Sequence, residues 1–360
     1  MRPLVLLLIL AVAHGDERPS IEKAMQLVSA GKLAEAESML LDLGKADPRN
    51  PEVEYRFGLV LLKEGKLDDA RVRLESAAKL DPKYPFVWSA IGLLHETLAK
   101  AARNDAPTAA KEFQEAIRLD PTRPVYYLEL AQLFLDHDTA EPAELVLKNA
   151  VRRFPTNAEV LRLLGLADYA QGKSQEALDA FLKAIDADPD AESAYASLEV
   201  LLPDARQRLP DVIAKLQKFS ERHKESPIGP FLLALVEPGK SEPLLRQAIR
   251  VAPGFWPAYF ELHKLLKARE QWDEAAAALK KTAELNPDYA PAHYALAEYY
   301  NRKGDRARAA LERELHHKLL ADQRKAAEQH RSQAPRLSFT VGQVPDLPSR
   351  PKAGQPDPGH

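Results

Sequence analysis

Two tripeptides, Gly172-Lys173-Ser174 and Gly239-Lys240-Ser241, end the way a phosphate-binding loop ends. Such a loop cradles phosphate with backbone N–H groups and needs a further glycine five residues before the second one. Those positions hold Ala167 and Ala234, and no strand-like run precedes either segment. Asp186-Ala187-Asp188-Pro189-Asp190 spaces oxygen ligands as a calcium loop does, but the sixth and twelfth positions, which need glycine and glutamate, are Ala191 and Ser197. His95-Glu96 opens like a zinc-protease pair, yet the second histidine, due at position 99, is Ala99. His316 and His317 are adjacent, so on a helix their side chains diverge by about 100° and serve one metal poorly. No nucleophile, base and acid come together anywhere. The expectation is a protein that is not an enzyme, with no catalytic residues, no metal and no cofactor.

Composition narrows the class further. The chain has 360 residues, 50 Lys+Arg against 53 Asp+Glu, a formal net charge of -3, and no cysteine. Without cysteine there is no disulfide framework, no thiolate metal site and no thiol nucleophile. A near-neutral balance lacks the basic stripe a nucleic-acid surface needs, so nucleic acid is not expected as a partner. An apolar fraction of 45% is enough to build a core and excludes wholesale disorder.

Residues 1–15 read as an address. Arg2 precedes the uninterrupted apolar run Leu4 to Ala13, and small residues follow at Ala11, Ala13 and Gly15, the layout of a secretory signal peptide. Cleavage is expected after Gly15, with Ala13 the second choice. The run is too short for a bilayer, which takes about 20 apolar residues, so no integral membrane segment is expected after cleavage. The predicted location is periplasmic or secreted.

Internal repetition organises the rest. Pro48, Pro82, Pro121, Pro155, Pro189, Pro227, Pro253 and Pro287 are 34, 39, 34, 34, 38, 26 and 34 residues apart. Ala36, Ala70, Ala109, Ala143, Ala177 and Ala275 each precede a proline by 12 residues. Within Pro51 to Tyr84, apolar residues three and four apart predict a helix over Val53 to Lys63. Gly58 lies on it where a bulky side chain would hold a partner helix away, and Gly65 supplies the turn. A second helix is predicted from Leu67 to about Leu80, with Ala70, Leu74 and Ala77 inward, ended at Asp81-Pro82. Each unit is a helical hairpin.

The motif Trp88, Ile91, Gly92, Ala109, Phe113, Ala116, Pro121 resembles the tetratricopeptide repeat. So do Tyr127, Leu130, Ala131, Phe134, Ala143, Leu147, Ala150, Pro155, then Leu161, Leu164, Gly165, Gly172, Ala177, Phe181, Ala184, Pro189, and later Tyr259, Leu262, Leu266, Ala275, Leu279, Pro287. About nine units fit between residues 17 and 333. The resemblance implies an all-α, right-handed superhelical solenoid with a concave groove lined by the first helix of each pair. His263 and His293 fall at framework positions and are expected to be packed. The groove candidates are Tyr55, Leu59, Leu62, Phe86, Leu93, Leu128, Gln132, Leu166 and Tyr169. Chaperone-docking members of the family clamp a C-terminal carboxylate with Asn, Lys and Arg, but Leu59, Leu93 and Leu166 stand at the equivalent places. An apolar groove is expected to take aromatic or aliphatic anchors on peptides.

Departures divide the chain. After the leader, residues 16–191 form a regular array, 192–255 degenerate units, 256–333 closing units with an extended capping helix, and 334–360 a proline-rich, disordered tail. Five extra residues around Ala101 to Pro107 predict a longer turn between two helices. Glu199 stands where a small residue is expected, and 228–255 is about six residues short, which predicts a change of curvature or a soft joint. Leu337 to Val341 alternates like a strand and is a candidate to dock on the array. The expected function is an exported, non-catalytic scaffold binding proteins or peptides, in assembly or organisation of a bacterial envelope complex. The alternative is a substrate-recruiting subunit of an envelope hydrolase or transferase.

Overall fold

The computed structural model describes residues 20–102, 106–203, 205 and 208–333, so the leader at 1–15 and the tail at 334–360 lie outside the described residues. Two compact units meet in sequence at Leu119/Asp120. The first holds α1 (Ile21–Ser29), α2 (Leu33–Ala46), α3 (Pro51–Lys63), α4 (Leu67–Leu80), α5 (Pro85–Ala102) and α6 (Ala106–Leu119). The second holds α7 (Pro124–Asp136), α8 (Ala140–Arg153), α9 (Ala158–Ala170), α10 (Ser174–Ala187), α11 (Glu192–Ser197), α12 (Leu209–Arg222), α13 (Ile228–Val236), α14 (Ser241–Val251), α15 (Trp256–Ala268), α16 (Trp272–Leu285), α17 (Ala290–Arg302) and α18 (Arg306–Gln333). Short 3-10 turns cover Glu199–Leu201 and Pro238–Lys240. The described residues are all helical and form nine consecutive hairpins, with no strand among them.

Small residues set the spacing inside a hairpin. A Cβ built on Gly58 would stand 2.6 Å from the Leu74 side chain, on Gly92 2.8 Å from the Phe113 ring, and on Gly165 2.5 Å from the Phe181 ring. Leu74, Phe113, Leu147, Phe181 and Leu279 recur four residues after the repeat alanine, and all are fully buried. At the same place in α18 stands Arg313, which is exposed. The closing helix therefore turns a polar side outward, as a terminal repeat must.

Among the described residues, six of the hairpin turns carry one residue with positive φ. Gly31, Gly65, Gly172 and Gly304 supply it at φ 74 to 76, whereas Asp138 (φ 54) and Glu270 (φ 61) hold the same register position without being glycine. At Glu270 the left-handed backbone crowds Cβ against the carbonyl, and glutamate, unlike aspartate, gains little by local hydrogen bonding. Glu270→Gly is expected to raise stability by about 0.5–1 kcal/mol, after the extra entropy of an unfolded glycine is deducted. Asp138→Gly should gain less. Urea midpoints of the two variants would check the order, and a loss at Glu270→Gly would refute the turn assignment.

Two expectations are corrected. The five extra residues do not make a longer turn. α5 has 18 residues where α3, α7, α9, α15 and α17 have 13, because Leu98-Ala99-Lys100-Ala101-Ala102 are strong helix formers that prolong the first helix. Glu199 needs no small replacement, since α11 has ended at Ser197 and Glu199 lies in a 3-10 turn. The close approach moves to Gly229, whose added Cβ would stand 2.9 Å from the Ser220 Cα of α12. One apolar core runs without a break from Leu161 through Leu201, Phe219, Phe231 and Leu245 to Ala275.

Candidate functional site

The first helix of each hairpin carries the candidate binding residues, and a recurrent bond fixes where that helix starts. Trp88 Nε1–H donates to the Pro82 carbonyl at 2.9 Å, and the hydroxyls of Tyr127, Tyr195 and Tyr259 donate to the carbonyls of Pro121, Pro189 and Pro253 at 3.2, 3.1 and 3.2 Å. His293 Nε2 does the same to Pro287 at 2.8 Å, and its Nδ1 lies 2.8 Å from Glu312 Oε2 on α18. A proline ends one unit, and a donor six residues later ties the next helix to it. His263 Nδ1–H donates to the Ala275 carbonyl at 3.2 Å, and burial lowers its pKa. Both histidines belong to the framework.

The predicted groove residues fall into two sets. In the first unit Tyr55 is only 8% exposed, so it is framework more than surface. Its ring lies 5.4 Å from Tyr84 and 6.2 Å from Phe86, which are themselves 5.6 Å apart. Leu59, Leu62 and Phe86 are half-buried against the same core, and Leu93 stands out at 38% exposure. In the second unit Leu128 and Leu166 are half-buried, Tyr169 is 42% exposed, and Gln132 is exposed with its amide donating to Asp136 Oδ1 at 2.6 Å. Tyr84 was missed in the sequence because it precedes its helix. Its ring nevertheless completes the cluster with Tyr55 and Phe86.

Segments that imitate catalytic or metal motifs have other work. Gly172 makes the left-handed turn, and Lys173 Nζ binds Glu144 at 2.6 Å. Asp188 accepts the Asp190 N–H at 3.0 Å, closing the turn after the helix. Asp190 in turn holds Arg222 at 2.9 Å and His223 at 2.9 Å, while Asp186 pairs with Lys215. A crevice among His263, Lys267, Trp272, Glu298 and Tyr299 has room of about 10 Å³, enough for one water at most.

One charge arrangement in the second unit was not anticipated. Glu144 of α8 and Asp168 of α9 are 6% and 4% exposed. Burial opposes ionisation of Glu144, but hydrogen bonds from Lys148, Lys173 and Gln171 outweigh it and hold the carboxyl at about 2. Among the described residues Asp168 has no such donors. Burial, and then the Glu144 charge, push it up to about 6.

With this geometry in hand, the comparisons with known proteins are specific. A family profile described as tetratricopeptide repeat matches residues 128–192 and 260–317, and a second of that description matches 27–94. Small glutamine-rich tetratricopeptide repeat-containing protein 2 of Saccharomyces cerevisiae is 33% identical over 89 residues, 25% of this chain and 26% of that protein. The match thus spans about a quarter of the relative's length. Among solved structures, yeast Tom70 is similar with a TM-score of 0.50 at 17% identity, covering 87% of each chain. A thermophilic tetratricopeptide-repeat protein of Thermus thermophilus gives 0.43 at 20% identity, covering 51% of this chain and 96% of that one. Both units of the chain are built of tetratricopeptide repeats. Proteins of this kind are in general non-catalytic scaffolds that bind other proteins or peptides. Among the described residues no helix is long and apolar enough to cross a membrane.

Proposed function

We propose that the protein is an exported, non-catalytic scaffold that binds peptide segments of partner proteins on the first helices of its hairpins and helps organise a bacterial envelope complex. The observation that carries the binding surface is the exposure of Leu93 and Tyr169. Both are large apolar side chains at groove register positions, left uncovered at 38% and 42% while their neighbours pack inward. Partner anchors that cover them contribute roughly 1.5–3 kcal/mol each. Export rests on the charged start and apolar run of residues 1–15. It is tested by fractionation and intact mass, which should find the mature chain outside the cytoplasm, beginning after Gly15. A cytoplasmic chain with its leader attached would refute it.

Binding is tested by crosslinking partners in envelope extracts and repeating the capture with Leu93→Glu and Tyr169→Glu. A carboxylate placed against an apolar anchor loses the burial energy and adds a desolvation cost, so each change is expected to weaken capture about tenfold or more. Unchanged capture from both variants, with unchanged melting curves, would remove the groove from this reading.

A further inference from the structure

Four cations in the second unit gather round three aromatic rings. The Arg302 guanidinium at the end of α17 stacks 4.0 Å from the centre of the Trp272 ring. Lys280 Nζ of α16 lies 5.8 Å from the Tyr299 ring and 5.7 Å from the Tyr300 ring. Lys303 Nζ lies 5.8 Å from Tyr299, and the Arg308 guanidinium 4.9 Å from Tyr300. All four cations are exposed.

The carboxylates nearby do not balance them. Asp273 holds Lys303 at 2.7 Å and accepts the Tyr299 hydroxyl at 3.2 Å. Asp305 holds Arg308 at 2.5 Å, and Glu298 is engaged by Lys267 at 2.7 Å. Among the described residues Lys280 and Arg302 form no direct salt bridge, although Lys280 still acts on Asp273 through space. Stacking occupies the flat face of the Arg302 guanidinium and leaves its N–H edge open, already ordered for a carboxylate. Like charges crowd here too, since Arg302 opposes the charge on Lys303. An arriving anion would relieve that repulsion without paying to order the cations.

We propose that this basic, aromatic-backed face docks an acidic segment of a partner protein, with carboxylates of the segment pairing with Lys280 and with Arg302. The chain's own residues 334–360 have the wrong sign for the role, carrying Arg336, Arg350 and Lys352 against Asp346 and Asp357. The proposal is independent of the groove reading, because no groove candidate contributes to this face.

The test uses the full chain and a fluorescein-labelled hexaglutamate peptide, followed by anisotropy at low and physiological salt. Saturable binding is expected, weakening as salt rises because exposed charges are screened. Lys280→Gln with Arg302→Gln should weaken it at least tenfold. Arg302→Lys, which keeps the charge but loses the stacked fork, should fall between, and Lys183→Gln on α10 should change nothing. Melting curves of each variant confirm that the fold survives. No saturable binding, or equal loss from Lys183→Gln, overturns the proposal. So does competition by inorganic phosphate that matches the unlabelled peptide at equal ionic strength, which would mark a phosphate site instead.

Discussion

Gly165→Leu is expected to destabilise the second unit by about 2–3 kcal/mol and to lower its melting temperature by roughly 5–10 °C. The contact leaves little room for relaxation. The first carbon of any side chain there would stand 2.5 Å from the Phe181 ring and 3.1 Å from the Ala177 carbonyl oxygen. The ring is fully buried in a core that runs from Leu161 to Ala275, so it has no free direction in which to swing. The carbonyl belongs to helix α10 and moves only if the whole helix does. Gly92→Leu should cost less, because the nearest atoms it meets, those of the Phe113 ring at 2.8 to 3.1 Å, stand farther off. A second change separates steric crowding from a general loss of helix packing. Gly165→Ala should be destabilising alone and cost less in a Phe181→Ala background, which removes both ring atoms it strikes. Equal melting temperatures for Gly165→Leu and the parent would mean that the two helices of this hairpin do not meet here. Leu166 and Tyr169 lie on the same helix, so the weakened variant should also bind partners less well.

The repeat register was legible because it is written in local chemistry. Proline stops a helix, glycine permits the left-handed turn, and a small residue lets two helices approach, each wherever the fold goes next. The alanine, glycine and Phe or Leu positions therefore found their places at Gly58–Leu74, Gly92–Phe113 and Gly165–Phe181. The groove was legible only in part. Exposure depends on what neighbouring hairpins cover, and Tyr55 proves to be sealed by Tyr84 and Phe86 while Leu93 is left open. The bond from residue 88, 127, 195, 259 or 293 to the proline six positions earlier carried a signal that went unread. The sequence marks it as Pro followed at the sixth position by Trp, Tyr or His. Other features needed coordinates. Arg302 meets Trp272, and Lys280 meets Tyr299 and Tyr300, only when α16 and α17 are assembled, and Glu144 meets Asp168 only when one hairpin is laid against the next.

Asp168 occupies the register position filled by Leu61, Phe134, Leu266 and Tyr300 in other hairpins, so a carboxylate has been put where the fold buries an apolar side chain. Its folded pKa is raised to about 6, whereas an unfolded aspartate titrates near 3.9. Between those values the folded state holds a proton that the unfolded state has released. Stability therefore falls as pH rises through that window, and above about pH 6 the full penalty is present. A rise of this size corresponds to at most about 2.9 kcal/mol, and relaxation round the pair reduces this to roughly 1–2 kcal/mol. Glu144 works in the opposite direction. Held at about 2, it contributes stability that is present above its ordinary value near 4.5 and is lost as pH falls toward 2. Asp168→Asn, which mimics the protonated acid, is thus expected to be about 1–2 kcal/mol more stable than the parent at pH 7.5 and indistinguishable from it at pH 4 in urea unfolding. Adding Glu144→Gln should shrink the neutral-pH gain, because part of the strain on Asp168 is the Glu144 charge. A gain independent of both pH and Glu144 would place its origin elsewhere than in this buried pair. The exposed Tyr169 beside it is left untouched, so partner binding should survive the stabilisation.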